Sequence, residues 1–210
     1  HNNGLPVGTP LRGGVVVLDI ESGVLAMAST PALSEEADEE GYPWLNRAAE
    51  GLYPAGSIIK PLVLAAASTN LQYSENEMIE CTGHYFKNAK DVARCWIYRK
   101  SYNFKTHGKL QAVDALARSC NIFFYELGTR LGFEELLLWY QKFGLAQPLS
   151  AKLTDSSATG SQGHFPKDAD IKRWKKRGEI AFETISMSIG QGAITWTPLH
   201  AAAAYATLSL

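Results

Sequence analysis

Between residues 14 and 30 the apolar positions form two short blocks around a polar break. Gly14-Val15-Val16-Val17-Leu18-Asp19-Ile20 is rich in β-branched residues, Glu21-Ser22-Gly23 has turn chemistry, and Val24-Leu25-Ala26-Met27-Ala28-Ser29 resumes the apolar run. The pattern predicts an antiparallel hairpin over residues 12–30. Residues 31–56 are rich in Pro and Gly and carry an acidic run, Glu35-Glu36 and Asp38-Glu39-Glu40, which reads as solvated surface. A nearly unbroken apolar stretch over 58–69 predicts a buried helix that starts at Ser57, with Ser57 as its cap and Pro61 tolerated in the first turn. Residues 76–108 look irregular. Three helices are predicted at about 110–119, 121–131 and 133–143, with Gly132 and Gly144 at the stops. A long polar loop over 146–178, a short extended piece over 184–189, a turn at Gly190-Gln191-Gly192 and a last helix over 198–208 complete the chain. Nothing suggests a repeat or a linker. The expectation is one domain over 1–210, comprising a hairpin at 12–30, a helical core bearing the motifs at 57–145, and a loop region, turn and final helix at 146–210.

Composition narrows the classes. The 210 residues are 46% hydrophobic and 20% charged, which suits a packed domain and excludes disorder. Lys plus Arg is 20 against 21 acidic residues, so no global attraction to nucleic acid or acidic lipid is expected. The basic run Lys172-Arg173-Trp174-Lys175-Lys176-Arg177 lies in the expected long loop and reads as a partner surface or a cleft rim. No apolar run is long enough to span a bilayer, and His1-Asn2-Asn3-Gly4 is not a leader. The start looks cut, which leaves room for an anchor upstream. Three cysteines, Cys81, Cys95 and Cys120, cannot all pair within one chain. A disulfide plus one thiol, a metal site, and three buried thiols stay open.

Two short patterns carry candidate chemistry. In Ser57-Ile58-Ile59-Lys60, residues three apart on a helix share a face. A serine hydroxyl needs a nearby base, and a lysine serves only when desolvation or positive neighbours lower its pKa. The apolar helix supplies desolvation; the plain alternative is a capping serine and a lysine that reaches out to solvent. In Ser119-Cys120-Asn121, between two predicted helices, an extended backbone would point the hydroxyl and the amide into one cleft. Ser119 could then relay a proton and Asn121 could hold the Lys60 amine and a substrate carbonyl. The alternative is an ordinary helix break with a polar cap.

Taken in order, these patterns resemble the transpeptidase domain of penicillin-binding proteins, a fold shared with serine β-lactamases, whose first motif is the serine–lysine pair. The wider context is similar to the class B, elongation-type members, the penicillin-binding protein 2 family. The resemblance runs from Arg12-Gly13-Gly14-Val15-Val16-Val17-Leu18-Asp19 through Asn46-Arg47-Ala48, Tyr53-Pro54-Ala55-Gly56-Ser57-Ile58-Ile59-Lys60-Pro61, His107-Gly108, Phe123-Phe124-Tyr125 and Trp174-Lys175 to Ser188-Ile189-Gly190-Gln191-Gly192 and Thr197-Pro198-Leu199. It implies an α+β fold of the β-lactamase/transpeptidase type, with a helical subdomain against an antiparallel sheet. It implies Ser57 as nucleophile, Lys60 as base, Ser119 as proton relay, Asn121 as orienting amide, and Gly190, Gln191 and Gly192 near the cleft floor. The implied substrate is a peptidoglycan stem peptide and the implied inhibitors are β-lactams. The implied partners are wall-elongation membrane proteins, with no nucleic acid, and the implied location is the periplasmic or extracytoplasmic face of the inner membrane, held by an N-terminal anchor not in this chain. The third motif, Lys-Thr-Gly, is missing, and Lys105-Thr106-His107 does not replace it. The expectation is therefore a sheet that is C-terminally incomplete, or completed by another chain, and weak catalysis by these residues alone.

Cys81, Cys95, His107 and Cys120 are ligand types for a Cys₃His zinc site, at spacings of 14, 12 and 13 that are longer than a zinc-finger knuckle. Some elongation-type relatives look as though they carry zinc behind the second motif, and on that resemblance the four positions are assigned to one structural zinc. His84 is a substitute ligand, and a Cys81–Cys95 disulfide is the alternative. Two other functional readings accompany the transpeptidase: a β-lactamase or β-lactam sensor, and a non-catalytic, metal-stabilised domain that binds wall peptide or a partner.

Overall fold

The computed structural model describes residues 12–21, 23–31, 45–149 and 161–210. The acidic run at 35–40 and Ser22 of the expected turn lie outside the described residues. In chain order the elements are β1 (Gly13–Asp19), β2 (Gly23–Thr30), β3 (Tyr53–Pro54), a 3-10 turn (Gly56–Ile59), α1 (Lys60–Thr69), β4 (Ile79–Cys81), a second 3-10 turn (Lys100–Tyr102), β5 (Gly108–Leu110), α2 (Ala112–Ala117), α3 (Asn121–Leu131), α4 (Phe133–Lys142), α5 (Asp168–Arg177), α6 (Ile180–Met187), β6 (Thr195–Trp196) and α7 (Pro198–Leu208). They fall into two compact units. One comprises His1–Tyr53, Gly144–Gly163 and Trp196–Leu210, and the other Pro54–Phe143 and His164–Thr195.

The first unit is built on the hairpin. β1 and β2 pair antiparallel from Gly13↔Thr30 to Val17↔Ala26, and a bulge after Val17 resets the register to Leu18↔Val24 and Asp19↔Gly23. Helix α7 packs on β1. The Asn46-Arg47-Ala48 segment is stitched to the hairpin because the Arg47 N–H donates to Ser29 Oγ at 3.0 Å and Ser29 Oγ donates to the Leu45 carbonyl at 3.3 Å. Gly14 admits this segment: a Cβ there would sit 2.6 Å from the Ala48 nitrogen. Thr197 caps α7 by accepting from the His200 N–H at 3.1 Å. The buried His200 ring lies with Nε2 3.0 Å from the Gln147 carbonyl and Nδ1 2.8 Å from Thr197 Oγ1. A carbonyl only accepts, so Nε2 carries the proton, and burial lowers the ring's pKa.

The second unit is helical. Helix α3 is its centre and packs against α1, α4, α6 and β4. Ile59, Leu62, Val63, Phe123, Phe124, Leu127, Leu136, Ile185 and Met187 are all buried there. Tyr140, also buried, donates to the Met187 carbonyl at 2.9 Å, so its hydroxyl costs the core nothing in lost hydrogen bonding.

Three local expectations are corrected. Ser57 does not cap α1: it sits inside the 3-10 turn, and Ile59 is the cap residue. Residues 184–189 are not extended, since α6 runs through Met187. The β-branched Thr184 and Ile185 suggested a strand, but Thr184 Oγ1 donates to the Ile180 carbonyl one turn back at 2.7 Å. The basic run is not a loop but the last two turns of α5. Asp168 and Asp170 at its start and Lys175, Lys176 and Arg177 at its end complement the helix dipole, and Trp174 is buried against Phe133 with ring centroids 6.0 Å apart.

The crossing of α3 and α6 depends on Gly128. A Cβ there would collide with Ser188 Cβ and lie 2.9 Å from Ser188 Oγ. Replacing a mid-helix glycine by alanine ordinarily gains up to about 1 kcal/mol. Overpacking of about 1–3 kcal/mol should outweigh it. Gly128→Ala is expected to lower the denaturation midpoint, and adding Ser188→Gly to recover part of the loss; a Gly128→Ala protein as stable as the parent would contradict this packing.

Candidate active site

Ser57 and Lys60 are brought together by the 3-10 turn. At three residues per turn the side chains of i and i+3 eclipse, which aligns the pair more closely than an α-helix would. The Lys60 N–H donates to the Ser57 carbonyl and closes the turn. Ser57 is exposed, whereas Lys60, on the same edge, is only 1% exposed. An exposed hydroxyl and a desolvated amine thus stand one turn apart.

The Lys60 amine is held from the α2–α3 junction. Its Nζ lies 2.9 Å from the Ser119 carbonyl, 2.9 Å from Ser119 Oγ and 2.8 Å from Asn121 Oδ1, and 5.5 Å from the centre of the Phe124 ring. Three oxygens match the three N–H bonds of an ammonium. Burial nevertheless pulls its pKa from 10.5 down to about 8, against the opposing pull of Cys95 and Cys120. The junction does not converge by the extended backbone expected. Ser119 adopts φ 49, the left-handed region that a non-glycine residue seldom occupies, and Cys120 is extended at φ −70, ψ 112. The left-handed step turns both the carbonyl and the hydroxyl of Ser119 toward Lys60. Asn121, the first residue of α3, is fixed by its own Nδ2, which donates to the Arg94 carbonyl at 3.2 Å.

Gly190 braces the residue before Ser57. The Gly56 N–H donates to the Gly190 carbonyl at 2.7 Å, and Gly190 has φ 72. A Cβ on Gly190 would run into the backbone of Gly56. Gln191 and Gly192 are exposed beside this contact. The sequence places Gly190 near the cleft floor and Phe124 after the second motif, but not the contact of Gly190 with Gly56, the ring beside Lys60 or the bond to the Arg94 carbonyl. Only the glycine spacing hinted at the first, and no local pattern marks the other two.

Cys81, Cys95, His107 and Cys120 also converge, with ligand atoms all within 4.8 Å of one another. Cys81 ends β4 and pairs with Gly108 of β5, which presents His107 beside it. Cys95 is tied by its N–H to the Gly83 carbonyl at 2.8 Å, and Cys120 precedes α3. The Cys81 and Cys95 sulfurs lie 3.7 and 3.4 Å from His107 Nδ1, and the Cys95 and Cys120 sulfurs are 4.0 Å apart. A tetrahedral zinc, with Zn–S about 2.3 Å and Zn–N about 2.0–2.1 Å, places sulfurs about 3.8 Å apart and sulfur to nitrogen about 3.6 Å. The donor set therefore fits a metal. All three thiols are free and buried, so no disulfide joins Cys81 to Cys95. Hydrogen bonds from Cys120 and then Cys81 push the Cys95 thiol far below its ordinary value, toward the thiolate that a metal requires. His84 is not in the cluster. Its ring packs edge-on against Tyr98, centroids 5.6 Å apart.

An exposed serine, a buried lysine three residues on, and a serine and an asparagine closing over that lysine are the residue types that the transpeptidase resemblance leads one to expect together. The chain belongs to the penicillin binding protein transpeptidase domain family, whose model matches residues 13–210. It is 31% identical to the peptidoglycan D,D-transpeptidase MrdA of Acinetobacter baumannii over 93% of this chain, and 30% identical to MrdA of Haemophilus influenzae over 92%. It spans only 30% and 31% of those proteins' lengths. Among solved structures, PBP2 of Pseudomonas aeruginosa in complex with WCK 5153 superposes with a TM-score of 0.77 at 27% identity, over 94% of this chain and 46% of that one. A chain from a peptidoglycan synthase complex of polymerization and crosslinking superposes at 0.75 and 25% identity, over 99% of this chain and 36% of that one. These matches bear out the penicillin-binding protein 2 resemblance and the α+β transpeptidase-like fold. No helix among the described residues is long and apolar enough to cross a membrane.

Gly190→Ala and Gly192→Ala share a left-handed backbone penalty of about 1–2 kcal/mol. At Gly192 the nearest atom to a new Cβ is the far end of a flexible side chain, Glu183 Oε2, at 3.1 Å. Gly190→Ala should therefore be clearly the more destabilising of the two in thermal melts; equal losses would remove Gly190 as the brace of Gly56.

Proposed function

We propose that the chain is part of a peptidoglycan D,D-transpeptidase that acts through an acyl-enzyme on Ser57. The observation that carries this reading is the desolvated Lys60 amine, one turn after the exposed Ser57, held at hydrogen-bond distance by Ser119 and Asn121. The Ser57 hydroxyl attacks the carbonyl between the two terminal D-alanines of a stem peptide, and neutral Lys60 takes its proton. The C–N bond breaks, and Ser119, bonded to Lys60, passes a proton to the departing D-alanine amine. An amine of a second strand then attacks the ester, forms the cross-link and returns Ser57 to its hydroxyl. Asn121 holds the lysine amine and presents its amide to the substrate. The Ser57 N–H is one donor to the oxyanion, and Gly190, Gln191 and Gly192 line the cleft floor. A β-lactam opens on the same hydroxyl and remains as the ester.

The resemblance assigns the substrate carboxylate to a Lys-Thr-Gly strand, which these 210 residues lack. Turnover on wall peptide, a periplasmic location at the inner membrane and assembly with wall-elongation proteins are proposed at the level of the whole protein, since this chain spans about a third of the relatives it matches. Acylation by a penicillin tests the site itself. A fluorescent penicillin should add one adduct by intact mass, absent in Ser57→Ala, and Lys60→Ala should slow labelling by about 10²–10⁴-fold, the range of a lost general base. An adduct that survives Ser57→Ala would overturn the assignment. Because Lys60 acts neutral and its pKa lies near 8, labelling should quicken as pH rises from 6 and level off above about 8.

The Cys81–Cys95–His107–Cys120 cluster is proposed to hold one structural zinc. The metal would supply cross-linking of an otherwise irregular segment, while Cys120 carries that order to Ser119 and Asn121 on either side. Metal analysis should find one zinc per chain, and Cys95→Ser should lose it together with melting temperature. A fully folded, metal-free protein whose melting temperature ignores a chelator would refute the proposal.

A further inference from the structure

The segment over residues 87–105 carries six Lys or Arg residues against one acid, Asp91, in a chain whose net charge is −1. Three of its aromatic side chains, Trp96, Tyr102 and Phe104, are about half exposed. The rings are not loose. Trp96 packs edge-on against Tyr102, centroids 5.6 Å apart, and the Arg99 guanidinium lies over the Tyr102 ring at 4.7 Å. The turn beneath them is closed by bonds from the Tyr102 and Phe104 N–H groups to the Arg99 carbonyl, at 2.9 and 3.1 Å. It includes two successive left-handed residues, Asn103 and Phe104, at φ 53 and 50.

Arg99 differs from the neighbouring arginines. Arg94 pairs with Asp91 at 3.5 Å and Arg118 with Asp114 at 3.9 Å, whereas Arg99 has no carboxylate partner among the described residues. A guanidinium stacked on a ring keeps its N–H edge directed outward, the geometry that grips a carboxylate with two parallel bonds. The platform also adjoins the active-site residues. The Trp96 indole N–H donates to the Arg118 carbonyl at 3.0 Å, one residue before Ser119, and the Arg94 carbonyl receives Asn121.

We propose that Arg99, held on Tyr102, whose ring packs against Trp96, is a carboxylate-binding subsite that takes an acidic part of the stem peptide at the edge of the Ser57 site. The proposal rests on the transpeptidase reading and extends it to a substrate contact outside the Ser57, Lys60, Ser119 and Asn121 set. A discrete carboxylate suits the site better than a lipid surface, because the rings pack on one another and leave none projecting alone to enter a bilayer.

The test is fluorescence anisotropy on the whole chain with a labelled stem peptide. The parallel probes are the same peptide with its carboxylates amidated and vesicles containing phosphatidylglycerol. Binding of the free-carboxylate peptide should weaken at least about fivefold on amidation, on Arg99→Ala and, through loss of the bidentate fork, on Arg99→Lys, and should weaken further as salt rises. Unchanged melting temperature and metal content would show the variants folded. Equal binding of the amidated peptide, or of Arg99→Ala, overturns the proposal. Arg99-dependent binding to vesicles without peptide binding replaces it with a membrane contact. Penicillin labelling of the unaltered chain reports separately on Ser57, so failure of the subsite and failure of the transpeptidase reading are distinguishable.

Discussion

The helical unit is organised by one constraint: a lysine amine placed where water does not reach. An ammonium buried without partners would cost several kcal/mol and would expel its proton or unfold its surroundings. Lys60 avoids both outcomes because Ser119 offers two oxygens and Asn121 a third. That demand accounts for the left-handed backbone at Ser119, which is unfavourable in isolation and turns two acceptors of a single residue toward one nitrogen. It also explains why the shift in pKa is moderate: desolvation favours the neutral amine, while the buried thiols of Cys95 and Cys120 draw it back toward the charged form.

The short strip from Arg118 to Asn121 therefore serves several neighbours at once. Its residues receive Lys60, and Cys120 within it meets Cys95 at 4.0 Å. The Arg118 carbonyl accepts from Trp96, and Asn121 donates to the Arg94 carbonyl. An irregular segment with little core of its own is thus tied to the start of α3 by a sulfur contact flanked by two hydrogen bonds. Disturbing the thiol cluster would disturb the lysine's acceptors, because the same few residues carry both. Gly190 holds the backbone immediately before Ser57, so Ser57 and Lys60 are positioned from two separate stretches of the unit's sequence.

Much of this was legible from residue order. The hairpin, α1, the α3–α4 pair and the start of α7 follow from apolar periodicity and from Pro and Gly positions. The four candidate catalytic residues and the four metal-ligand types were named from their chemistry and from family resemblance. Thr184 and Ile185 carry strand propensity, yet they sit in a helix because a side-chain bond one turn back and burial against α3 outweigh it. The basic run was read as loop because its charge hid the single buried face that Trp174 provides. His84 is the right residue type for a ligand, but its ring turns to Tyr98.

By itself the sequence determined which groups were available: a hydroxyl three residues from an amine, a hydroxyl and an amide two residues apart, three thiols and an imidazole. Those are properties of local chemistry and spacing. Tertiary structure alone decided that Ser57 would be reachable while Lys60 was not, that Ser119 would take a left-handed turn to meet Lys60, that Gly190 would touch Gly56, and that Arg99 would lie on Tyr102 with no carboxylate partner among the described residues. Each depends on segments far apart in the chain meeting at bonding distance, and burial, pKa and strain follow from that meeting rather than from any one stretch of residues.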